Sequence, residues 1–434
     1  MGFWLSISVL MLKTMFLSFL NPFFWIFVFV VFMQYRKVVH MEQKLFGQPI
    51  NNAWEQTVHS LIYGIIGGVF GSFFLLLLGI SLESIGIAYL WPLAILLMLI
   101  NPRFLCFAYA GGLISVASIA IRYLLPYWPE LTEIVLLKGL LEIHLPSLLA
   151  LIGILHLTES FLIFISGHRG ASPIYLKAPS GKLLGGYSMQ RFWPLPLMGL
   201  LGLIVEESSE AFVGGVSMPE WWPLLGTVMN PAGGEQLLYH MIPLVAVLGY
   251  SDLALSSYPH HKRIKTAGNL ALYSVLLSVL AIASVFYPAV IVLAALLAPL
   301  GHEYLIKKGN EEEFSRPPLF QAEGGDGLMV MAVVPGSPAA NAGLREGDRL
   351  IEVSNQRFDS ESDFWHLLRI NYNHILLKIK RNRKEINLPV RIYPQPVNQL
   401  GVILAPGRAS GTYVEMKHGS ILESIRRRFS PRDS

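Results

Sequence analysis

The chain has 434 residues, of which 53% are hydrophobic and only 14% are charged. This composition is far more apolar than that of a soluble protein and is typical of integral membrane proteins. The net charge of +4 is small, and no basic stretch is interleaved with aromatic residues, which argues against nucleic-acid binding. The single cysteine, Cys106, excludes a disulfide framework.

Apolar blocks of membrane-spanning length follow one another up to about residue 306, after which charged residues return. The blocks cover residues 3–20, 23–33, 59–80, 84–100, 104–125, 145–167, 193–205, 237–255 and 269–305. Residues 3–20 either lead into the first span or form a tight pair with 23–33. The last block is too long for one helix, and Tyr287-Pro288 predicts a hairpin of two. We therefore predict an α-helical polytopic membrane domain with about nine spans, within a range of about eight to ten.

The charges of the connecting loops alternate along the chain. Lysine and arginine dominate every second loop, including the long segment 168–191, whereas glutamates dominate the loops between them. Because cytoplasmic loops carry the positive charge, this pattern places everything after residue 306 in the cytoplasm. The basic, glycine-rich segment 167–192 suits either a small cytoplasmic hairpin or a contact with lipid headgroups.

Residues 328–392 carry the most specific local pattern in the chain. Apolar β-branched runs broken by Gly, Pro and Asp predict short strands joined by tight turns. Ser337 before Pro338 predicts a short helix over residues 339–342, and residues 364–370 predict a second one. Residues 374–380 and 385–392 predict a hairpin. This order of elements, with the phrase PGSPAANAGLREGDRLIEV, resembles a bacterial PDZ domain, an α+β fold.

A PDZ domain binds a peptide as an added strand between a sheet edge and a helix. In the family, a loop of the form Φ-Gly-Φ holds the terminal carboxylate. Residues 323–327 lack this pattern, whereas residues 400–403 have it, as though the module were permuted. The residues of the implied groove are Leu400, Gly401, Val402, Ile403, Phe364, Leu367 and Leu368. The same side chains equally suit the domain core, so both interpretations are open here.

His156 and Glu159 stand one helical turn apart inside the apolar block 145–167. Ionisable residues at membrane depth are costly and indicate an ion or proton site. The alternative is a buried pair that fixes helix packing, with His144 or His240 as a further partner. His302-Glu303 is similar to the start of the zinc motif His-Glu-x-x-His, but the second histidine is absent. We therefore predict no catalytic residue, metal or cofactor, and interpret His302-Glu303 as the interface end of a span.

Four segments follow from these patterns. They are a membrane domain (1–306), a charged linker (307–318), a PDZ-like domain (319–405) and a basic amphipathic tail (406–434). The tail has apolar residues at helical spacing among arginines, which predicts a helix on the anionic inner leaflet. A solvated tail is the alternative.

The whole layout resembles the MinJ-like proteins of Gram-positive bacteria, which are multi-pass membrane proteins with a C-terminal cytoplasmic PDZ domain. The likeness is carried by ILHLTE, the loop leading to QRFWPLPL, the PGSPA domain and the trailing QLGVI. It implies a non-enzymatic scaffold in the plasma membrane, enriched at septa and poles. Such a scaffold recruits protein partners, linking a polar and septal coiled-coil protein to the division-inhibitor ATPase. Two other hypotheses are a transporter or channel that uses His156 and Glu159, and an accessory subunit presenting substrates to a separate protease.

Overall fold

The computed structural model describes residues 3–178, 181–206, 216–227, 229, 231–320, 327–370, 373–392, 400–406 and 414–415. The amphipathic helix predicted in the tail lies outside these residues. The helices are α1 (Phe3–Leu17), α2 (Pro22–Phe46), α3 (Ala53–Leu78), α4 (Ile87–Ile100), α5 (Phe107–Leu124), α6 (Val135–Glu142), α7 (Leu145–Ser166), α8 (Pro259–Phe286), α9 (Val290–Ser315), α10 (Pro338–Asn341) and α11 (Glu361–Ile370). The strands are β1 (Ser172–Lys177), β2 (Leu183–Glu206), β3 (Glu235–Ala254), β4 (Leu328–Val333), β5 (Arg349–Val353), β6 (Gln356–Arg357), β7 (Asn373–Arg381), β8 (Lys384–Ile392), β9 (Val402–Leu404) and β10 (Val414–Glu415).

Six of the described helices are long and apolar enough to cross a membrane, namely α2, α3, α5, α7, α8 and α9. Two shorter helices, α1 and α4, are also apolar. The helical membrane part is therefore confirmed, whereas the count of about nine spans stays a prediction. The break at Tyr287-Pro288 falls between α8 and α9, so the predicted helical hairpin is confirmed.

The apolar blocks 193–205 and 237–255 form strands, so interpreting them as helical spans was wrong. They lie in β2 and β3, which pair antiparallel from Tyr187 opposite Ala254 to Glu206 opposite Glu235. Pro194 and Pro196 explain the difference for residues 193–205, because proline in a helix interior removes a hydrogen bond and collides with the preceding turn. Apolar composition alone does not distinguish a buried strand from a buried helix.

The outer edge of β2 lies against α2 and α3 instead of a third long strand. Proline has no N–H group, so Pro194 and Pro196 leave no edge donor at their positions. The N–H of Phe192 donates to Tyr35 Oη at 3.1 Å, and that of Met198 donates to Ser72 Oγ at 2.9 Å. At these four positions, the backbone donors of this edge are therefore either absent or hydrogen-bonded, as an apolar bundle requires.

Two glycines bring α3 into direct contact with the backbone of β2. A Cβ atom added to Gly64 would lie 2.1 Å from the carbonyl oxygen of Pro194, and one added to Gly68 would lie 2.1 Å from that of Pro196. The two glycines are four positions apart, so they share one face of the helix. This glycine face sets the distance between helix and strand.

The PDZ domain has the sheet order β8-β7-β5-β4-β9, with β6 paired to β5. It packs on the sheet formed by β1 and the start of β2. The hydroxyl of Tyr187 lies 2.5 Å from the carbonyl oxygen of Met331 and 2.6 Å from Glu346 Oε1. Phe320 is buried against the rings of Tyr187 and Tyr258. The membrane domain and the PDZ domain therefore share a packed interface.

We expect Gly68→Val to destabilise the folded protein, because the added side chain collides with the carbonyl of Pro196. Overpacking of this kind costs about 1–3 kcal/mol. The thermal midpoint of the purified chain in detergent, followed by the loss of its monodisperse chromatographic peak, measures the effect.

The matched control is Gly268→Val on α8, where an added Cβ meets no atom within 4 Å. Its midpoint should stay close to that of the unmodified chain. Equal midpoints for the two variants would contradict the close approach of α3 to β2.

Candidate functional site

The two helices of the PDZ domain begin at the serines that local capping favours. Ser337 Oγ accepts a hydrogen bond from the N–H of Ala340 at 3.2 Å at the start of α10. Ser360 Oγ accepts from the N–H of Asp363, and the Asp363 carboxylate accepts from the N–H of Ser360, both at 3.1 Å. This reciprocal cap fixes the start of α11. The predicted short helix, second helix and hairpin are all present.

A buried ion pair holds the hairpin of β7 and β8 to the rest of the domain. Asp348 is almost fully buried, and Arg381 donates to its two carboxylate oxygens at 2.7 and 2.6 Å. Arg381 also donates to the carbonyl of Gly343 after α10. Bidentate pairing of this kind gives a defined orientation to both side chains.

Strand β9 lies at the edge of the PDZ sheet and pairs with β4, with Val402 opposite Val333. The carbonyl of Gly401 accepts from the N–H of Val334, and the N–H of Ala405 donates to the carbonyl of Met329, both at 2.8 Å. Backbone groups of alternate residues face opposite edges of a strand. Val402 and Leu404 therefore direct theirs away from β4, toward the edge where an added peptide strand would bind.

Gly401 is required by the shape of the loop that precedes β9. Its φ of +74° lies in the left-handed region, and a Cβ atom there would lie 2.1 Å from Ser337 Cβ. The Φ-Gly-Φ segment therefore packs tightly on the start of α10. This arrangement suits the loop that the PDZ resemblance assigns to carboxylate binding, and that role stays a prediction.

The side chains of the predicted groove come together, and most of them are buried. Phe364, Leu368, Leu400 and Val402 belong to the core of the PDZ domain, and Leu367 packs against it. Ile403 belongs to the core shared with the membrane domain. These contacts agree with the packing interpretation of the side chains, and they leave the backbone edge of β9 as the candidate peptide contact.

Tyr175 of β1 occupies part of that edge. Its hydroxyl donates to the carbonyl oxygen of Leu404 at 2.7 Å, and its ring packs edge-on against Phe46 at 5.2 Å. Burial raises the pKa of the Tyr175 hydroxyl above its usual value, and the charge of Glu361 raises it further. Glu361 is the first residue of α11, the helix that carries Phe364 and Leu368. Sequence reasoning missed this contact, which joins residues 229 positions apart.

The intramembrane histidine has partners other than those expected. His156 Nδ1 donates to the carbonyl of Ile152 at 2.7 Å, and Nε2 lies 3.1 Å from Cys106 Sγ. The suggested partners were wrong, because His144 bonds to Ser147 and His240 is exposed on β3.

His302 and Glu303 also have partners that were not expected, and their position at the interface end of a span stays a prediction. His302 Nε2 lies 3.8 Å from the same Cys106 Sγ, and Glu303 accepts from Tyr109 Oη and pairs with Arg103 at 3.2 Å. Three helices therefore bring together polar groups that no local pattern connects. A functional role for His156 and Glu159 stays a prediction.

Residues 329–381 match the sequence model of the PDZ domain family. The cell division topological determinant MinJ of Bacillus subtilis (strain 168) is 24% identical over 401 residues, which cover 91% of this chain and 94% of MinJ. The chain is a MinJ-like protein with a C-terminal PDZ domain.

Two further similarities to this MinJ-like chain cover much less of it. The probable protease eep of Enterococcus faecalis is 33% identical over 80 residues, which are 17% of this chain and 19% of eep, in the PDZ region alone. The solved PDZ domain of the SdrC-like protein from Listeria monocytogenes is 22% identical with a TM-score of 0.17. That match covers 19% of this chain and 90% of the solved domain.

We expect Gly401→Ala to lower the thermal midpoint of the full chain more than Gly336→Ala does. Both glycines have φ of +74°, so the backbone strain is the same in both variants. Only at Gly401 does the added Cβ meet another side chain, since nothing lies within 4 Å at Gly336. The difference between the midpoints isolates the steric contact with Ser337. Equal midpoints would contradict the packing of this loop on α10.

Proposed function

We propose that this MinJ-like chain is a non-enzymatic, membrane-anchored adaptor whose PDZ domain recruits protein partners in division-site placement. The observation that carries the proposal is the similarity to MinJ, which runs through both the membrane domain and the PDZ domain. The similarity to a protease is confined to the PDZ region, which is an interaction module and not a catalytic one. In the finer form of the proposal, the adaptor links a polar and septal coiled-coil protein to the division-inhibitor ATPase.

A cytoplasmic position for the PDZ domain is supported by charge and by contact. The loop 168–191 is basic, as expected for a cytoplasmic loop. Strand β1 and the start of β2 arise from this loop, and the PDZ domain packs on them through Tyr175 and Tyr187. The two segments that the positive-inside rule assigns to the same side thus touch each other.

A partner that binds at β9 would compete with the Tyr175 hydroxyl for a backbone carbonyl. A peptide strand added at the outer edge of β9 would use the carbonyl of Leu404, which already accepts from Tyr175. In our proposal, the partner displaces the Tyr175 hydroxyl when it binds. Recruitment by the PDZ domain then depends on how firmly the domain is docked on β1.

We expect Tyr175→Phe to raise the affinity for a C-terminal peptide selected against the full chain in lipid nanodiscs. The variant removes the competing hydroxyl and keeps the ring against Phe46. A hydrogen bond contributes about 0.5–1.5 kcal/mol, so the gain in affinity should be about 2- to 10-fold. Fluorescence anisotropy of the labelled peptide measures it.

Tyr123→Phe is the control, because that tyrosine is 73% exposed in the membrane domain. It should leave the peptide affinity unchanged. An unchanged or weaker affinity in Tyr175→Phe would show that peptides bind elsewhere.

For the cellular role, we expect a C-terminal fluorescent reporter that matures only in the cytoplasm to light up septa and poles of dividing cells. Deletion of residues 327–403 should abolish partner recruitment and leave membrane insertion intact. Uniform membrane fluorescence of the intact chain would count against division-site placement. An inserted but dark fusion would place the PDZ domain outside.

A further inference from the structure

Three potential metal ligands meet between three helices of the membrane domain. Cys106 immediately precedes α5, His156 lies within α7, and His302 lies within α9. One ligand atom from each lies within 4.8 Å of the other two. Cys106 Sγ is 3.1 Å from His156 Nε2 and 3.8 Å from His302 Nε2. His156 is only 4% exposed, so the group lies inside the helical bundle.

The hydrogen bond made by Nδ1 of His156 determines which ring nitrogen carries the proton and which presents a lone pair to Cys106. Its Nδ1 lies 2.7 Å from the carbonyl oxygen of Ile152, which can only accept. In the neutral ring, Nδ1 therefore carries the proton, and Nε2 presents a lone pair toward Cys106 Sγ. A backbone carbonyl on the opposite nitrogen is the usual partner of a metal-binding histidine.

Hydrogen bonds alone do not satisfy all the polar atoms of this cluster. The thiol of Cys106 has one proton and can donate to only one of the two imidazoles. The 3.8 Å separation from His302 Nε2 is long for a hydrogen bond. The Nδ1 atom of His302 is buried and has no partner among the described residues. Among the described residues, the polar contact of the His302 ring is therefore the one between Nε2 and Cys106 Sγ.

The rings are held in place by packing and by an outer layer of polar contacts. Tyr109 packs edge-on against His302 at 5.3 Å, and Tyr273 packs against His156 at 5.6 Å. Tyr109 also donates to Glu303, which pairs with Arg103. The Glu303 carboxylate is therefore committed to these partners and does not belong to the three-residue group.

We propose that Cys106, His156 and His302 bind a zinc ion. One thiolate and two imidazoles are a donor set that suits Zn²⁺. Tetrahedral bond lengths of about 2.3 Å to sulfur and 2.0–2.1 Å to nitrogen separate the ligand atoms by about 3.4–3.6 Å. The two sulfur–nitrogen separations of 3.1 and 3.8 Å lie within about 0.5 Å of this range, and all three ligand atoms lie within 4.8 Å of one another. The three described ligands leave a fourth position for water.

Binding exchanges a proton for the metal and involves no electron transfer. The thiol of Cys106 releases H⁺ to solvent as the sulfur–zinc bond forms, while both imidazoles donate lone pairs. The ion then ties α5, α7 and α9 together next to the ion pair of Glu303 and Arg103. Sequence motifs miss the site because its ligands are far apart in the chain, with Cys106 and His302 lying 196 positions apart.

The test uses the full chain in detergent, purified through a tag without histidine or cysteine and stripped with a chelator. Cobalt(II) replaces zinc as a spectroscopic probe, since a thiolate bound to cobalt gives a near-ultraviolet charge-transfer band. We expect about one metal per chain, with the band present, and displacement of cobalt by zinc. Zinc should also protect the Cys106 thiol from a maleimide reagent, and the chelator should restore labelling.

Cys106→Ser should abolish the charge-transfer band, and His302→Asn should weaken cobalt binding by at least about 10-fold, because loss of even an outer-layer partner costs that much. His366→Asn, at an exposed position of α11, is the control and should change neither. The proposal is overturned if the unmodified chain shows no charge-transfer band and no zinc protection. It is equally overturned if both ligand variants bind the metal as the unmodified chain does. The protection experiment needs no variant, so it decides the question even if a variant fails to fold.

Discussion

The unpaired edge of β2 is the constraint on which the membrane domain depends. A two-stranded ribbon beside apolar helices leaves backbone donors without partners, and each one costs several kcal/mol away from water. Here two prolines remove donors, and Tyr35 and Ser72 bind others. Gly64 and Gly68 then let α3 cover the edge at backbone contact. The same residues that would break a helix thus make this ribbon compatible with a bundle of membrane helices.

The ribbon also connects the membrane domain to the PDZ domain, because the start of β2 belongs to the sheet on which that domain packs. Two buried carboxylates hold the surrounding chain. Glu42 accepts from the N–H groups of Ile50 and Asn51 and from the hydroxyl of Ser172 at the start of β1. Glu313 accepts from the N–H groups after β3 and pairs with Lys262. Charge-assisted hydrogen bonds of this kind fix the start of β1 and the chain after β3 against the helices.

Tyr175 on β1 has two roles in this docking. Tyr175 helps to hold the PDZ domain in place, and its hydroxyl also uses a carbonyl on the edge that an added peptide strand would need. In the proposed mode of binding, docking and the peptide therefore use the same backbone carbonyl. The proposed zinc site includes His302 of α9, the helix that continues to Ser315 before the PDZ domain. In the two proposals, both features couple the state of the membrane domain to the module that recruits partners.

The sequence by itself determined the membrane domain, its two-helix hairpin around Tyr287-Pro288 and nearly all the local structure of the PDZ domain. Those features depend on short-range physics, such as apolar length, the cap of Ser337 before Pro338, and strand alternation. Only the tertiary structure decided that residues 193–205 are a strand, although Pro194 and Pro196 were visible signals against a helix. It alone placed Tyr175 on Leu404, and Cys106 beside His156 and His302. These meetings join distant segments through packing, which no local periodicity encodes.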